Sequence, residues 1–378
     1  MFRYLSGFLI SIILCAFIAP SRLALADTPN TATPTFSNLP LTLTVTGRVA
    51  SGTAGVTVPA GIPITLQIAH PDAKTGAPLE ALKRDVPLGA DRTFTFENII
   101  ASAGDIAIIS TVFQGVVQVG TPIQLTNGQT RLDSTLTLYA VTNDINVVTL
   151  LSVQHILDFK GNVLQVLATY NYANNSDRLY LSADRIALGL PVSVRIPLPV
   201  GAQAIAFNSQ TAERFATGGD LNAPIVQDTK PVLPGQVHQI VFSYQLPYNG
   251  GAPIDQDYPY NTSSLEVLIP DDAGVGLSGA HVGSATLTDA EFDRTTNTAI
   301  NPKRSYSQYT LKSPLKAGNR LIYMLGKASA IQPTKAPNAA STASSLTTTE
   351  IIAIVLIVIV LVVIGVVIGQ RALKGSQR

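Results

Sequence analysis

The feature that most restricts the fold of this chain is a period of two in its apolar residues. Leu41, Leu43 and Val45 alternate with three threonines. Because successive side chains of a strand point to opposite faces, this pattern predicts a strand with one buried and one wet side. Similar short segments, bounded by Gly, Pro or Asn, recur through residues 41–140. Their spacing is typical of an Ig-like or transthyretin-like β-sandwich.

A second group of strand signals lies further along the chain, at residues 163–172, 192–196, 238–246 and 265–269. Frequent prolines in this part exclude long helices. We therefore predict a second, jelly-roll-like β-sandwich over residues 145–325. A chain of 378 residues is long enough for two such domains in tandem.

Three segments of the first predicted domain carry a family pattern: Gly-Arg-Val at 47–49, Ala-Gly-Ile-Pro-Ile-Thr-Leu at 60–66, and Asp-Arg-Thr-Phe-Thr-Phe-Glu-Asn-Ile at 91–99. Together they resemble the carboxypeptidase regulatory-like domain, a transthyretin-like β-sandwich. The resemblance implies an accessory, non-catalytic role. With Leu-Pro-Val-Gly-Ala at 198–202 and Phe-Ser-Tyr-Gln-Leu-Pro-Tyr at 242–248, the whole body resembles uncharacterised bacterial exported, membrane-anchored proteins.

Both ends of the chain carry membrane-directed segments. At the N-terminus, Arg3 precedes an apolar stretch at residues 8–18 and the small residues Ala24 and Ala26. This order is typical of a signal peptide, residues 1–26, cleaved after Ala26. The 11-residue stretch is too short to serve instead as an uncleaved spanning helix.

Near the C-terminus, residues 351–369 contain no charge and consist mostly of Ile, Val and Leu. Their length predicts one transmembrane helix. Arg371, Lys374 and Arg378 follow it, so the positive-inside rule puts the tail, residues 370–378, in the cytoplasm and the N-terminus outside. Residues 328–350, rich in Ala, Ser, Thr and Pro, are predicted to form a flexible stalk. We expect a single-pass protein of the cell membrane.

Charge and cysteine content exclude several kinds of function. Outside the two terminal segments the chain has 20 basic and 24 acidic residues. This part of the chain lacks the excess of basic residues that a nucleic-acid-binding groove requires, so we expect no nucleic-acid partner. The single cysteine, Cys15, lies in the predicted signal peptide. Disulfides, thiolate catalysis and Cys-ligated metals are therefore not expected in the mature protein.

The sequence contains no recognisable catalytic or metal-binding motif. The four histidines have no pair at the spacing of a shared metal, and no strand-to-helix elbow for a serine nucleophile is present. We therefore expect no enzyme, no cofactor and no metal. A hydrolase built from dispersed carboxylates, such as Asp220, Glu266 and Asp289, is a further alternative.

One segment, residues 248–262, combines tyrosines with carboxylates in a Pro-rich stretch that we predict to be a loop. Tyr248, Tyr258 and Tyr260 stand near Asp255 and Asp257. Aromatic rings with polar neighbours suit sugar stacking or peptide contact. This segment is the candidate binding site, and packing of the tyrosines on the sandwich is the alternative.

The stalk, the accessory-type sandwich and the lack of a catalytic motif favour a membrane-tethered binding or scaffolding module. Its expected partners are the lipid bilayer, through the C-terminal helix, and another envelope protein, to which it would be an accessory subunit. The alternative is glycan binding or adhesion through the tyrosine-rich segment.

Overall fold

The computed structural model describes residues 40–72, 78–186, 189–208, 212–220, 222–297 and 304–327. Within them the chain forms strands and three short 3₁₀ turns, with no α-helix. The prediction of a mainly-β protein is confirmed. The predicted signal peptide with Ala24 and Ala26, the stalk, the transmembrane helix and the tail with Arg371, Lys374 and Arg378 lie outside the described residues. No helix in the described part is long and apolar enough to cross a membrane.

The first part of the described chain, residues 40–72 and 78–138, contains eight strands in two sheets. The strands are β1 (Pro40–Ser51), β2 (Pro63–Pro71), β3 (Pro78–Pro87), β4 (Thr93–Ser102), β5 (Ile106–Phe113), β6 (Val116–Val119), β7 (Ile123–Gln124) and β8 (Arg131–Leu138). One sheet has the order β4-β1-β8, and the other has the order β3-β2-β5-β6 with β7 also paired to β5. We call these two sheets the N-terminal sandwich.

The two sheets of the N-terminal sandwich bury their facing sides in one core. Leu43 and Val45 of β1 meet Leu66 and Ile68 of β2 in this cluster, together with Phe96 of β4. Thr42, between the buried β1 positions, is exposed. The predicted alternation over residues 41–46 is therefore confirmed, and its physical cause is burial of one face against the second sheet.

Strand β1 lies in the middle of its sheet and is paired on both sides. It runs antiparallel to β4, where Thr46 is opposite Thr95 and Arg48 is opposite Thr93. It runs parallel to β8, where Arg48 is opposite Thr135. With both neighbours paired, the backbone of β1 is held in place by hydrogen bonds along both edges.

The lack of a side chain at Gly47 leaves space for the Phe94 ring on the inner side of this sheet. A Cβ at this position would lie 2.3 Å from Cζ of Phe94 and 2.5 Å from the carbonyl oxygen of Ser134. The ring of Phe94 is buried, with 3% of the residue exposed. The ring therefore occupies the space that any side chain at position 47 would need.

The rest of the described chain contains seventeen shorter and longer strands. They are β9 (Val141–Thr142), β10 (Val148–Lys160), β11 (Val163–Asn174), β12 (Leu179–Tyr180), β13 (Val194–Pro197), β14 (Gln203–Phe207), β15 (Phe215–Gly218), β16 (Ile225–Asp228), β17 (His238–Pro247), β18 (Gly251–Tyr258), β19 (Asn261–Thr262), β20 (Leu265–Pro270), β21 (Val275–Gly283), β22 (Leu287–Asp289), β23 (Phe292–Asn297), β24 (Tyr306–Leu311) and β25 (Asn319–Lys327). We call β10–β25 the C-terminal body.

The C-terminal body packs three sheets around a common core. The largest sheet has the order β14-β17-β11-β10-β20-β24-β23, with β19 also paired to β10. The others are β18-β25-β21-β22 and β13-β16-β15. Side chains from all three enter one apolar cluster, for example Tyr244 of β17, Tyr323 of β25 and Val226 of β16.

The longest pair in this body, β10 with β11, is a hairpin whose turn is set by a glycine. Lys160 is opposite Val163, so two residues connect the strands. Gly161, the first of them, has φ 59°. A two-residue turn that matches the twist of the strands requires positive φ at its first position, which glycine adopts without steric cost.

The strand predictions are confirmed at several positions and miss others. β11, β13, β17 and β20 fall on the four segments predicted in the second half. Strand β3 was not predicted, because the charged residues of Pro78–Pro87 hide the alternation on an edge strand. The segment predicted as a loop at residues 248–262 is wrong in its central part, which forms strand β18.

The N-terminal sandwich is joined to the following chain by a buried hydroxyl. Thr53 Oγ1 donates to the carbonyl oxygen of Asp177 at 2.6 Å and accepts from the amide N–H of Ala140 at 3.0 Å. The carboxylate of Asp177 accepts from the amide N–H of Ala54 at 2.8 Å. The turn after β1 is thereby tied to the segment between β11 and β12.

We expect Gly47→Ala to destabilise the N-terminal sandwich by about 1–3 kcal/mol, because the added methyl group must displace the Phe94 ring or the β8 backbone. Urea unfolding followed by circular dichroism measures this. Gly326→Ala is the matched control, since a Cβ there meets nothing within 4 Å. Equal stabilities of the two variants would contradict the packing described for Gly47.

Candidate binding surface

The predicted tyrosine site is buried in the core of the C-terminal body. Tyr248, Tyr258 and Tyr260 are 9%, 2% and 4% exposed. All three belong to the same apolar cluster. The prediction of a binding loop with available aromatic rings is therefore wrong, and the alternative stated with it, packing on the sandwich, is what the structure shows.

The hydroxyl groups of Tyr258 and Tyr260 form hydrogen bonds with polar groups of the core. Tyr260 Oη accepts from the amide N–H of Arg195 at 3.2 Å, and its ring contacts that of Tyr172 edge-to-face at 5.4 Å. Tyr258 Oη donates to Gln256 Oε1 at 3.3 Å. Burial raises the pKa of Tyr258 well above its ordinary value. They act as structural side chains.

The two carboxylates of the predicted site lie on the opposite face of β18. Gln256 and Tyr258 are buried, while Asp255 is half-buried and Asp257 is exposed, as the period of two requires. Asp255 forms a bidentate ion pair with Arg320 of β25, with 2.5 Å between Arg320 Nε and Asp255 Oδ1. The aromatic and acidic groups of this segment therefore do not share a surface.

A buried charged cluster links the sheets of the C-terminal body. Asp228, at the end of β16, is completely buried. It accepts from Arg214 Nε at 2.6 Å and pairs with Arg214 Nη2. His238 Nε2 of β17 lies 2.6 Å from Asp228 Oδ2. The cluster therefore ties β16 to the start of β17, a strand of the largest sheet.

The pKa values of Asp228 and His238 are set by burial and by the charges next to them. Burial alone would raise the pKa of Asp228, but the charge and hydrogen bonds of Arg214, assisted by His238, hold that pKa well below its ordinary value. Burial lowers the pKa of His238 despite the attraction of Asp228. The resulting charged pair is Arg214 with Asp228. Both are mutually satisfied, and this arrangement is typical of a structural ion pair.

The remaining histidines also lie in separate places. His155 is buried, with Nε2 3.1 Å from Tyr170 Oη, and His70 Nδ1 lies 2.6 Å from the buried Asp105. His281 lies 3.0 Å from Asp289. In the part of the chain that the structure describes, no group of three or more His, Cys, Asp or Glu residues could hold a metal ion.

The three carboxylates of the hydrolase alternative lie on separate elements. Asp220, in the loop after β15, accepts from the amide N–H of Asn222 at 2.8 Å. Glu266 of β20 in the largest sheet accepts from Gln154 at 3.3 Å. Asp289 ends β22 in the four-stranded sheet. Each is engaged with a local neighbour rather than with the other two.

A shallow depression lies on the outer face of the β4-β1-β8 sheet. It is open and has a volume of about 430 Å³, a volume within the range of small-molecule sites. Its lining residues come from three strands: Thr46, Gly47 and Arg48 of β1, Thr93, Phe94 and Thr95 of β4, and Asp133, Ser134 and Thr135 of β8. We call this depression the Arg48 groove.

Two cross-strand rows form the floor of the Arg48 groove. In one, Thr95, Thr46 and Asp133 are side by side, and in the next, Thr93, Arg48 and Thr135 are. Because residues two apart share a face, all of these side chains point outward. The rows place hydroxyl groups on both sides of one guanidinium.

Hydrogen bonds fix the acidic groups of this face. Arg131 Nη2 lies 3.1 Å from Asp133 Oδ1, and Thr46 Oγ1 also donates to Asp133. The hydrogen bonds from Arg131 and then Thr46 lower the pKa of Asp133. Asp91, beside the groove, accepts from Thr93, which lowers its pKa in the same way. Both carboxylates are thus held by hydrogen bonds, and the charge of Asp133 is also compensated by Arg131.

Sequence reasoning did not find this groove. Its residues lie at 46–48, 93–95 and 133–135, and only strand pairing brings them together. The available signal was the polar half of each alternation, Thr46 and Arg48, Thr93 and Thr95, Asp133 and Thr135. That signal shows which residues face outward, and it does not show which strands are neighbours.

Comparison with known proteins gives no family. No protein-family model matches the chain, and no curated protein matches it. An M1 zinc metallopeptidase from Deinococcus radiodurans has 11% identity and a TM-score of 0.27, covering 48% of this chain. The chain spans 42% of that protein, less than half of its length.

Two pilins also show low similarity to this chain in sequence and structure. The full-length major pilin SpaD from Corynebacterium diphtheriae has 9% identity and a TM-score of 0.18, covering 76% of this chain and 88% of the pilin. The major pilin SpaA from the same organism has 9% identity and a TM-score of 0.20, covering 74% and 83%.

We expect Asp228→Asn to destabilise the protein by about 3–5 kcal/mol, because it leaves the buried Arg214 guanidinium without its counter-charge. Asp255→Asn removes the more exposed pair with Arg320 and is expected to cost about 1 kcal/mol or less. Guanidinium unfolding of both variants at pH 7 compares them. A loss of similar size in both would contradict a structural role for the buried cluster.

Stability is also expected to fall in mild acid because of His155. Burial lowers the pKa of His155 from 6.5 to about 4. As pH falls, His155 of the unfolded chain is therefore protonated near pH 6.5, whereas His155 of the folded protein is protonated only near pH 4. This histidine's contribution is fully present above pH 6.5 and is lost as pH falls through that window, by about 3 kcal/mol.

His155→Gln is the test of this dependence, since the amide keeps a polar group near Tyr170 and does not titrate. Unfolding free energies measured at pH 7, 5.5 and 4 should show a smaller loss in the variant than in the natural protein. Parallel pH profiles for the two proteins would contradict the assignment to His155.

Proposed function

We propose that this protein is a non-catalytic, membrane-tethered binding or scaffolding module outside the cytoplasm, serving as an accessory subunit of an envelope membrane complex. The observation that carries the proposal is the Arg48 groove. It is a shallow, open surface of hydrogen-bonding groups on a sheet whose central strand is paired on both sides. A surface held in this way is preorganised for a partner.

The membrane tether is supported by the sequence. A signal peptide at residues 1–26 would direct export, and a helix at residues 351–369 would hold the protein in the cell membrane with its C-terminus in the cytoplasm. A stalk at residues 328–350 would let the body move beside the bilayer. In this arrangement the groove meets partners near the membrane surface.

The proposal includes the finer identity of the two folded parts. We propose that residues 41–140 are a carboxypeptidase regulatory-like, transthyretin-like module and that residues 145–325 are a jelly-roll-like sandwich. The first assignment rests on the Gly-Arg-Val and Phe-Thr-Phe segments, which lie on the paired strands β1 and β4. Modules of this kind position other parts of an assembly.

The chemistry of the groove supports binding rather than catalysis. It contains hydroxyl groups, one guanidinium and one carboxylate, and Asp133 is already compensated by Arg131 and Thr46. A hydrolytic reaction needs a nucleophile with a base in hydrogen-bond reach. Among the lining residues, Asp133 is the carboxylate in reach of the Thr46 hydroxyl. Its hydrogen bonds with Arg131 lower its pKa, which makes it a weak base.

Glycan binding or adhesion is the second candidate function, and the composition of the groove favours it. Four of the lining residues, Thr46, Thr93, Thr95 and Thr135, are threonines whose side chains point outward. Hydroxyl groups both donate and accept hydrogen bonds, as sugar hydroxyls do. This candidate therefore uses the Arg48 groove in place of the tyrosine-rich segment first predicted.

The test is photocrosslinking from the groove in the protein's own cells. A photoreactive amino acid replaces the exposed Thr135 in the full-length chain, and mass spectrometry identifies what is captured. We expect one defined envelope protein, or a carbohydrate-bearing species if the glycan candidate holds. The same probe at Lys83, exposed on the opposite sheet, is the matched control and should not capture that species.

Capture of the same species from both positions, or of none from Thr135, would refute the groove as the functional surface. Deletion of residues 351–378 is a parallel test of the tether. It should release the body from the membrane fraction after cell lysis, as detected by immunoblotting. Retention of the shortened protein in membranes would contradict the proposed anchor.

A further inference from the structure

We propose that the Arg48 groove binds a carboxylate-bearing glycan, such as a uronic-acid-containing oligosaccharide, with Arg48 receiving the carboxylate. This inference rests on the proposed binding function and names the chemical class of its ligand. It starts from an imbalance of charge among the residues of the groove.

Arg48 is the lining residue whose charge has no partner in the described structure. Asp133 is compensated by Arg131 at 3.1 Å, whereas Arg48 is exposed and forms no hydrogen bond or ion pair with a described residue. The guanidinium therefore offers its full set of donors to solvent. Its planar fork matches the two oxygens of a carboxylate.

The position of Arg48 makes it a central contact. It lies on β1, the middle strand of the sheet, opposite Thr93 on one side and Thr135 on the other. Thr93 Oγ1 donates to Asp91 at 2.8 Å, which leaves its oxygen as an acceptor. Thr135 is exposed and offers both a donor and an acceptor. A ligand seated on Arg48 would reach hydroxyl groups on both sides.

A sugar fits this surface better than a peptide does. Peptides bind by adding a strand to a free sheet edge or by placing apolar side chains in pockets. Strand addition would take place along the outer edges of β4 and β8, whereas Arg48 lies on β1, which is paired on both sides. A ligand on Arg48 therefore lies over the face of the sheet, where Phe94, the apolar side chain of the lining, is 3% exposed. The groove offers hydroxyl groups and one cation, which complement the hydroxyls and the carboxylate of an acidic sugar.

Other anions fit less well. A nucleic-acid backbone presents a phosphate at every nucleotide and requires a row of cations. The groove has one uncompensated cation, Arg48, since Arg131 is paired. A ligand with separate carboxylates and several neutral hydroxyls between them is the better match to this charge pattern.

The test uses the full-length protein in detergent and isothermal titration calorimetry. The probes are a galacturonic acid oligosaccharide and its methyl ester, which has the same ring hydroxyls without charge. We expect binding of the free acid, weakening with added salt, and at least tenfold weaker binding of the ester. Equal binding of acid and ester, or binding of neither, would overturn the inference.

Arg48→Gln should lower affinity for the free acid roughly tenfold to a hundredfold, because it removes a charge-assisted hydrogen-bonding pair. Its melting temperature should be unchanged, since Arg48 has no described partner to lose. Arg178→Gln, an exposed arginine of the C-terminal body, is the matched control and should bind normally. Unchanged affinity in Arg48→Gln would overturn the assignment.

The two proposals fail in distinguishable ways. If the Thr135 probe captures a defined envelope protein while neither sugar binds, the scaffolding function stands and the acidic-glycan inference is wrong. If the free acid binds through Arg48 while the probe captures no protein, the glycan candidate replaces the scaffold. If neither experiment is positive, both proposals are wrong.

Discussion

Each strand of this protein sends alternate side chains to opposite faces of its sheet, and the rest of the structure depends on that constraint. One set must be buried against a facing sheet, and the other set must meet solvent or a second layer. On β1 the rule buries Leu43 and Val45 and turns Thr46 and Arg48 outward. On β18 it buries Tyr258 and turns Asp257 outward. Core and candidate surface are therefore two sides of the same strands.

The two parts of the chain satisfy this constraint in different ways. The N-terminal sandwich closes with aliphatic and phenylalanine side chains. The C-terminal body buries a larger number of tyrosines and one charged cluster, Arg214 with Asp228 and His238. A buried polar group costs free energy unless it is paired. Arg214 is the partner of the Asp228 carboxylate, and Gln256 and the backbone of Arg195 are the partners of the Tyr258 and Tyr260 hydroxyls. These pairings make the interior of this body a structural network.

The candidate binding surface lies on the N-terminal sandwich, whose core consists of aliphatic and phenylalanine side chains. The backbone of β1 in the β4-β1-β8 sheet is fixed by pairing on both sides. Because position 47 is a glycine, the buried Phe94 ring packs directly against the inner side of this sheet. Because the inner face of the sheet is held by apolar packing, the outward side chains are not needed for the core and are available to contact a ligand. The groove thus combines a rigid floor with an uncompensated guanidinium, which is the arrangement that favours a partner of opposite charge.

The sequence by itself determined that the described chain is made of strands, since the alternation at Leu41, Leu43 and Val45 and the prolines of the second half permit little else. It also identified the inward and outward faces of β1 and β4. It could not identify β3, whose charged residues mask its pattern, or the true environment of Tyr248, Tyr258 and Tyr260. Only the tertiary structure decided that these tyrosines are core and that Arg48 stands between Thr93 and Thr135. The physical reason is that alternation is a local property of each strand, whereas the choice of neighbouring strands depends on pairing between segments far apart in the chain.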